Sequence, residues 1–244
     1  VSRRDDVART LAQRQTANVE ALARRSGQTV RAMFLQLEAL DDDALERWLR
    51  AVVPVAQGIE SAAATSGIGY VRSLSTVYGH TVGDVAPVDE IIGPALRSGT
   101  TYVDEWTRPV VTSRAAIARG RTWLEALDEG AAKAANLART DVGLASRAGS
   151  TAAMKSTPAV TGYRRVPDSS PCAFCLTIST RRYNVDTLAP VHANCTCGVV
   201  PIYSNGDPGA AISADARQKL DETETLDVST SEIGPVTATT EGGT

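Results

Sequence analysis

Five residues of the chain have the types and spacing to hold a metal ion: Cys172 and Cys175, then His192, Cys195 and Cys197. As a pattern they read C-x2-C followed by H-x2-C-x-C, and the chain's four cysteines are all inside it. Two thiolates separated by two residues can share one ion from a tight turn, the first half of many zinc knuckles. The second half offers an imidazole and two more thiolates. A tetrahedral zinc ion needs four donors and the pattern supplies five. Cys172 and Cys175 anchor the set, and His192 with Cys195 or Cys197 completes it. The fifth donor is left as a neighbour of the metal, and the spacing does not choose it. Three or four thiolates make a closed, structural site with no place for a substrate water. For a small lobe with little core of its own, such binding supplies roughly 10 kcal/mol or more of folding free energy. A secreted disulfide scaffold would spread its cysteines to staple distant segments, and pairing them as disulfides leaves His192 without a role.

The same residues exclude several enzymes. Pro171-Cys172-x-x-Cys175 matches half of the zinc deaminase signature, but that chemistry needs an upstream His-x-Glu. The upstream histidine, His80, stands in Gly79-His80-Thr81-Val82 and has no such glutamate. There is no H-E-x-x-H pair, no Gly-rich phosphate loop and no nucleophile elbow. His80 reads as a surface or capping histidine. The arginines from Arg3 to Arg31 alternate with Asp5, Asp6 and Glu20, as on a solvated helix face.

The elements that must position the metal donors follow from the 244 residues around them. Hydrophobic residues are 43%, charged residues 22% and aromatic residues only 5%, so the core must be built from Ala, Val, Leu and Ile. That composition favours helices packed through small side chains. A net charge of -3 excludes a strongly basic nucleic-acid binder. No apolar run approaches the ~20 residues of a membrane span, and no apolar segment follows Arg3-Arg4 as a secretory signal would require. The expectation is a soluble chain without membrane contact.

Three-to-four spacing at Val7, Leu11, Val19 and Leu22, then Val30, Met33, Phe34 and Leu37, predicts a helical N-terminal half that Gly27 kinks or splits. Asp41-Asp42-Asp43 marks a helix N-terminus, because carboxylates there accept from unbonded N–H groups. Pro54 is expected to end or kink that helix, with another running to about Tyr78. Gly79 to Pro87 reads as a loop, and a second helical region follows with a break near Pro109. Thr122-Trp123-Leu124-Glu125 fits a capping box, and the alanine-rich stretch to Ala153 has high helix propensity, with Gly130 and Gly143 as weak points. Thr161 to Val166 and Cys197 to Tyr203 are β-prone. Pairing them antiparallel would set the two halves of the cysteine pattern face to face. Asp215 to Leu226 reads as a short helix, and Val228 to Thr244 as a flexible tail.

These residues resemble a known family. Gly162-Tyr163-Arg164-Arg165-Val166-Pro167, Pro171-Cys172-x-x-Cys175, Tyr183 and Leu188-x-Pro190-x-His192-x-x-Cys195-x-Cys197-Gly198-Val199 are similar to the pattern of phage Mu F-type minor head proteins, in their actinobacterial phage version. Arg114-Ala115-x-x-Ala118-Arg119-Gly120, Trp123 and Ala126 resemble the helical part of the same domain. Ala193 stands where members of that family often have Pro, a departure that touches the local turn and not the donors.

The resemblance implies a Mu F-like domain at 105–205, within a mainly α protein whose periodicity and composition give a helical region at 1–104 of unassigned role and a mostly disordered tail at 206–244. Within the domain, 105–157 would be helical and 158–205 a zinc-stabilised α+β lobe. It further implies a minor capsid protein acting in head morphogenesis, located in the virion inside the capsid and in the host cytoplasm during assembly. Its partners would be the portal protein and other head components. Read from the residues themselves, Arg164, Arg165, Arg181 and Arg182 flank the cysteines and leave a DNA-contacting zinc module, with a weak phosphate contact, as an alternative. Some relatives carry the label of capsid maturation protease, but no nucleophile–base pair stands here to support peptidase chemistry.

Overall fold

The computed structural model describes residues 3–97, 99–187 and 196–224. Long helices dominate it: α1 (Arg3–Phe34), α2 (Asp42–Val77), α4 (Tyr102–Ala118) and α5 (Trp123–Lys155), with a single-turn α3 (Val88–Ile91) in the α2–α4 connection. The rest is a small lobe: β1 (Val160–Val166), α6 (Ala173–Ser179), β2 (Gly198–Tyr203) and α7 (Ala210–Glu224).

α5 is the axis of the helical body and packs against α1, α2 and α4. Its alanines explain how one helix can have three long neighbours. Ala126, Ala131, Ala134, Ala135, Ala138, Ala145 and Ala153 are all buried, and their short side chains let the surrounding helices approach closely. The approach is closest at the α2–α5 crossing. A Cβ added to Gly149 would lie 2.1 Å from the carbonyl oxygen of Ala64, and one on Gly67 would lie 2.2 Å from that of Ser146.

Both expected caps are present. Asp41 accepts from the Ala44 amide at 2.8 Å, and Thr122 and Glu125 close a capping box at the start of α5. The expected breaks are not. α1 runs unbroken through Gly27, α5 through Gly130 and Gly143, and neither Pro54 nor Pro109 ends its helix. Each proline removes one helical hydrogen bond. Around Pro54 the neighbours Trp48, Val52 and Ala56 are anchored in a shared core, and around Pro109 so are Trp106 and Val110. That burial outweighs the missing bond.

One apolar cluster joins Phe34, Trp48, Trp106 and Leu127, with Phe34 edge-on to Trp48 at 5.0 Å and the Trp48 indole donating to the Trp106 carbonyl at 2.8 Å. At the other end a cluster passes from Ala8, Val71 and Met154 into Tyr163, Val200 and Ile212. Apolar packing is thus continuous across positions 104 and 157. β1 and β2 pair antiparallel, Val166 opposite Gly198 and Arg164 opposite Val200. Two strands alone are marginal in water. Here Tyr70 of α2 donates to the Val199 carbonyl at 2.9 Å, and Ser75 meets the Tyr203 hydroxyl at 3.1 Å. α7 starts at Ala210, ahead of the expected Asp215, and packs on α6. The tail from Val228 lies outside the described residues.

Candidate functional site

The antiparallel register decides where the cysteines meet. Because Val166 faces Gly198, the chain leaving β1 and the chain entering β2 run side by side just outside the last pair. Pro167 to Pro171 then lead into α6, whose N-cap is Cys172. The Cys172 sulfur accepts from the Cys175 amide at 3.5 Å, the turn that a C-x2-C pair needs. One turn of α6 brings Cys175 inward, where it packs against Cys197; they are 2% and 1% exposed. Ser179 donates to the Cys175 carbonyl at 2.7 Å and continues the turn. Cys172 stays exposed, as does Phe174 beside it.

Cys175 and Cys197 join the two halves of the pattern, and Cys172 lies one turn away at the exposed start of α6. His192 and Cys195 lie outside the described residues. Among the described residues, no three His, Cys, Asp or Glu side chains converge tightly enough to hold a metal by themselves. The donor chemistry fits zinc: thiolates from two segments, two of them shielded from water.

Two carboxylates that the spacing did not single out organise this corner. Asp168 accepts from the Ser170 amide at 3.2 Å and from the Thr196 hydroxyl at 2.9 Å, and the Cys197 thiol points to the same oxygen from 3.9 Å. Glu20, from the middle of α1, accepts from the Ser169 amide at 2.7 Å and from its hydroxyl at 2.8 Å. A signal for Glu20 was available: it falls on the buried stripe of Ala12, Thr16, Val19 and Ala23, a place for an apolar side chain. A cleft of about 250 Å³ opens beside it, lined by Gln13, Thr16, Asp168, Leu176 and Lys219 among others.

The four arginines flanking the cysteines differ. Arg164 is committed inward, with Asp207 in a two-pronged pair at 2.9 to 3.1 Å and Ser213 at 3.0 Å. Arg165 is buried, 4% exposed. Arg181 and Arg182 are exposed. His80, read from the sequence as a surface or capping histidine, shares a hydrogen bond with Asn205 at 3.0 Å and stacks on Tyr203.

A second polar constellation, which no local spacing signals, lies in the helical body. Arg97 lies between Glu60 and Asp141, bonded to the former and 2.5 Å from the latter, with the Tyr102 hydroxyl donating to Glu60 at 2.5 Å. All three charged side chains are almost completely buried. Burial raises the Asp141 carboxyl to about 7; Arg97 pulls it down, while Glu60 and Glu105 push it up. One guanidinium cannot neutralise two carboxylates, so the second holds its proton into the neutral range.

Among the described residues no helix is long and apolar enough to cross a membrane. The class defined here is a mainly helical protein with a cysteine-centred two-stranded lobe. The family model described as VG15 protein matches residues 6–220, and the chain belongs to that family, a phage protein family whose span takes in both the helical body and the lobe. No curated protein and no solved structure matches the chain.

Proposed function

We propose that this phage protein is a minor capsid component acting in head morphogenesis, at the portal or inside the head of a tailed phage or prophage, and that its lobe carries a structural zinc ion. The observation that carries the metal is the buried contact between Cys175 and Cys197, which unites two segments of one donor pattern. Cys172, Cys175 and Cys197 would hold the ion with His192 or Cys195. The metal supplies cross-linking of the lobe, and no reaction runs on it. The VG15 family match supports a phage protein, and the motif resemblance is what points from there to the head. Val103, Val111, Trp123 and Leu124, exposed along α4 and the start of α5, and Phe174, exposed on α6, are the apolar positions open to a partner. Exposed apolar groups of this kind are what protein partners cover. The portal and neighbouring head proteins are the proposed partners.

Two measurements test the reading. Procapsids and mature heads from the producing phage should contain the chain in a few copies, pulled down with portal; absence from both removes the head assignment. Elemental analysis of the purified chain should find zinc, and a metal-free chain that keeps its lobe in the presence of chelator removes the metal.

A further inference from the structure

The cysteine site is tied to the helical body through one face of α1. Glu20 and Thr16 lie one turn apart on that face, both buried. Glu20 grips the backbone and side chain of Ser169, in the loop that delivers Cys172. Thr16 backs the opposite half: a Cβ on Gly198, next to Cys197, would lie 2.6 Å from its hydroxyl. Asp168 closes the gap by accepting from Thr196. Both segments that bear sulfur are thus indexed to the same turn of a helix far away in sequence. Neighbours that hold ligand-bearing segments in place tune metal affinity even though they never touch the metal.

We propose that Glu20 is a positioning residue for the cysteine site and that, through it, zinc loading and the seating of the Thr16–Glu20 turn of α1 are one coupled equilibrium. This rests on the metal reading above. Linkage requires the coupling to act both ways: whatever factor Glu20 adds to zinc affinity, zinc adds to the seating of α1.

The test uses the full chain with zinc as the only ligand, its affinity read by competition with a chromophoric chelator. Glu20→Ala should weaken binding by about 10- to 100-fold, the range typical for such supporting partners. Glu20→Gln keeps one acceptor oxygen for the Ser169 amide and should recover part of the loss. Both should leave the denaturation midpoint of the metal-free chain closer to wild type than their affinities are. Hydrogen exchange in the wild type supplies an arm that needs no variant: zinc should slow amides in 16–24 and 167–170 as well as in 171–203. Wild-type affinity in both variants, or protection confined to 171–203, overturns the coupling and leaves the metal site standing. A wild-type chain that takes up no zinc overturns both.

Discussion

The helical body and the cysteine lobe solve the problem of buried polar groups in opposite ways. In the body, Arg97 pairs with Glu60 and Asp141 from three separate segments, Tyr102 caps the Glu60 carboxylate, and Asp141 keeps its proton into the neutral range. All of these partners belong to the protein itself. In the lobe, the buried thiol of Cys175 on α6 packs against that of Cys197 just ahead of β2, and the loop from β1 to α6 is held by the carboxylates of Asp168 and of Glu20 on α1. The body is self-sufficient, whereas the lobe depends on α1, on α2 through Tyr70 and, in our reading, on an ion. The difference follows from size: a long helix packed on three neighbours buries enough apolar surface to hold its place, and two short strands do not.

Chelation should break the comparison most visibly. If zinc contributes roughly 10 kcal/mol or more to the lobe, removing it should abolish protection from exchange across 160–203 while helical circular dichroism stays nearly unchanged. Equal loss of order in α4 and the lobe would show that the two regions are not separable in this way.

Arg97→Met comes next. It leaves Glu60 and Asp141 in the core without their cation, and removing one partner of a buried pair costs about 3–5 kcal/mol. Urea unfolding should report that loss in the body, and zinc affinity should hold. A loss no larger than that of a surface substitution would mean that water reaches the carboxylates.

The same cluster predicts a pH dependence. The Asp141 carboxyl rises from 3.8 to about 7 on folding, chiefly through burial. Between those values the folded chain keeps a proton that the unfolded chain has released. Its contribution is therefore complete below pH 4, declines as pH rises and is gone above about 7. Asp141→Asn should flatten that part of the stability profile. An Asp141→Asn profile that keeps the same decline from pH 4 to 7 would show that another carboxylate holds the proton, and a wild-type profile that climbs there would show that Asp141 is ionised in the folded chain.

How legible these features were depends on how local their causes are. The caps at Asp41 and Thr122–Glu125 involve residues three apart, and both could be read directly. So could the two strands and the placing of Cys175 near Cys197, since β-prone segments flank the pattern. The continuity of α2 and α4 could not, because local propensity votes against Pro54 and Pro109 and the deciding contacts of Trp48 and Trp106 come from other helices. The grip of Glu20 on Ser169 and of Arg97 on Glu60 and Asp141 joins residues far apart in sequence, where no periodicity connects them. Composition did carry one tertiary fact: an aromatic-poor, alanine-rich chain is what the central α5 requires.

The smallest expected effect sharpens the contrast between local and distant support. Asp41→Ala removes the acceptor that satisfies the Ala44 amide at the start of α2. Loss of such a cap costs about 1 kcal/mol, which in a chain of this length lowers the melting temperature by roughly 2–4 °C. The cap sits at the end of α2 away from Tyr70 and Ser75, the residues through which α2 reaches β2. Fraying there spends itself within the first turn, so exchange in 160–203 and zinc affinity should match wild type. Should Asp41→Ala loosen the lobe as much as Glu20→Ala does, the two regions would form one cooperative unit, and proximity to the cysteines would no longer account for the effect of Glu20.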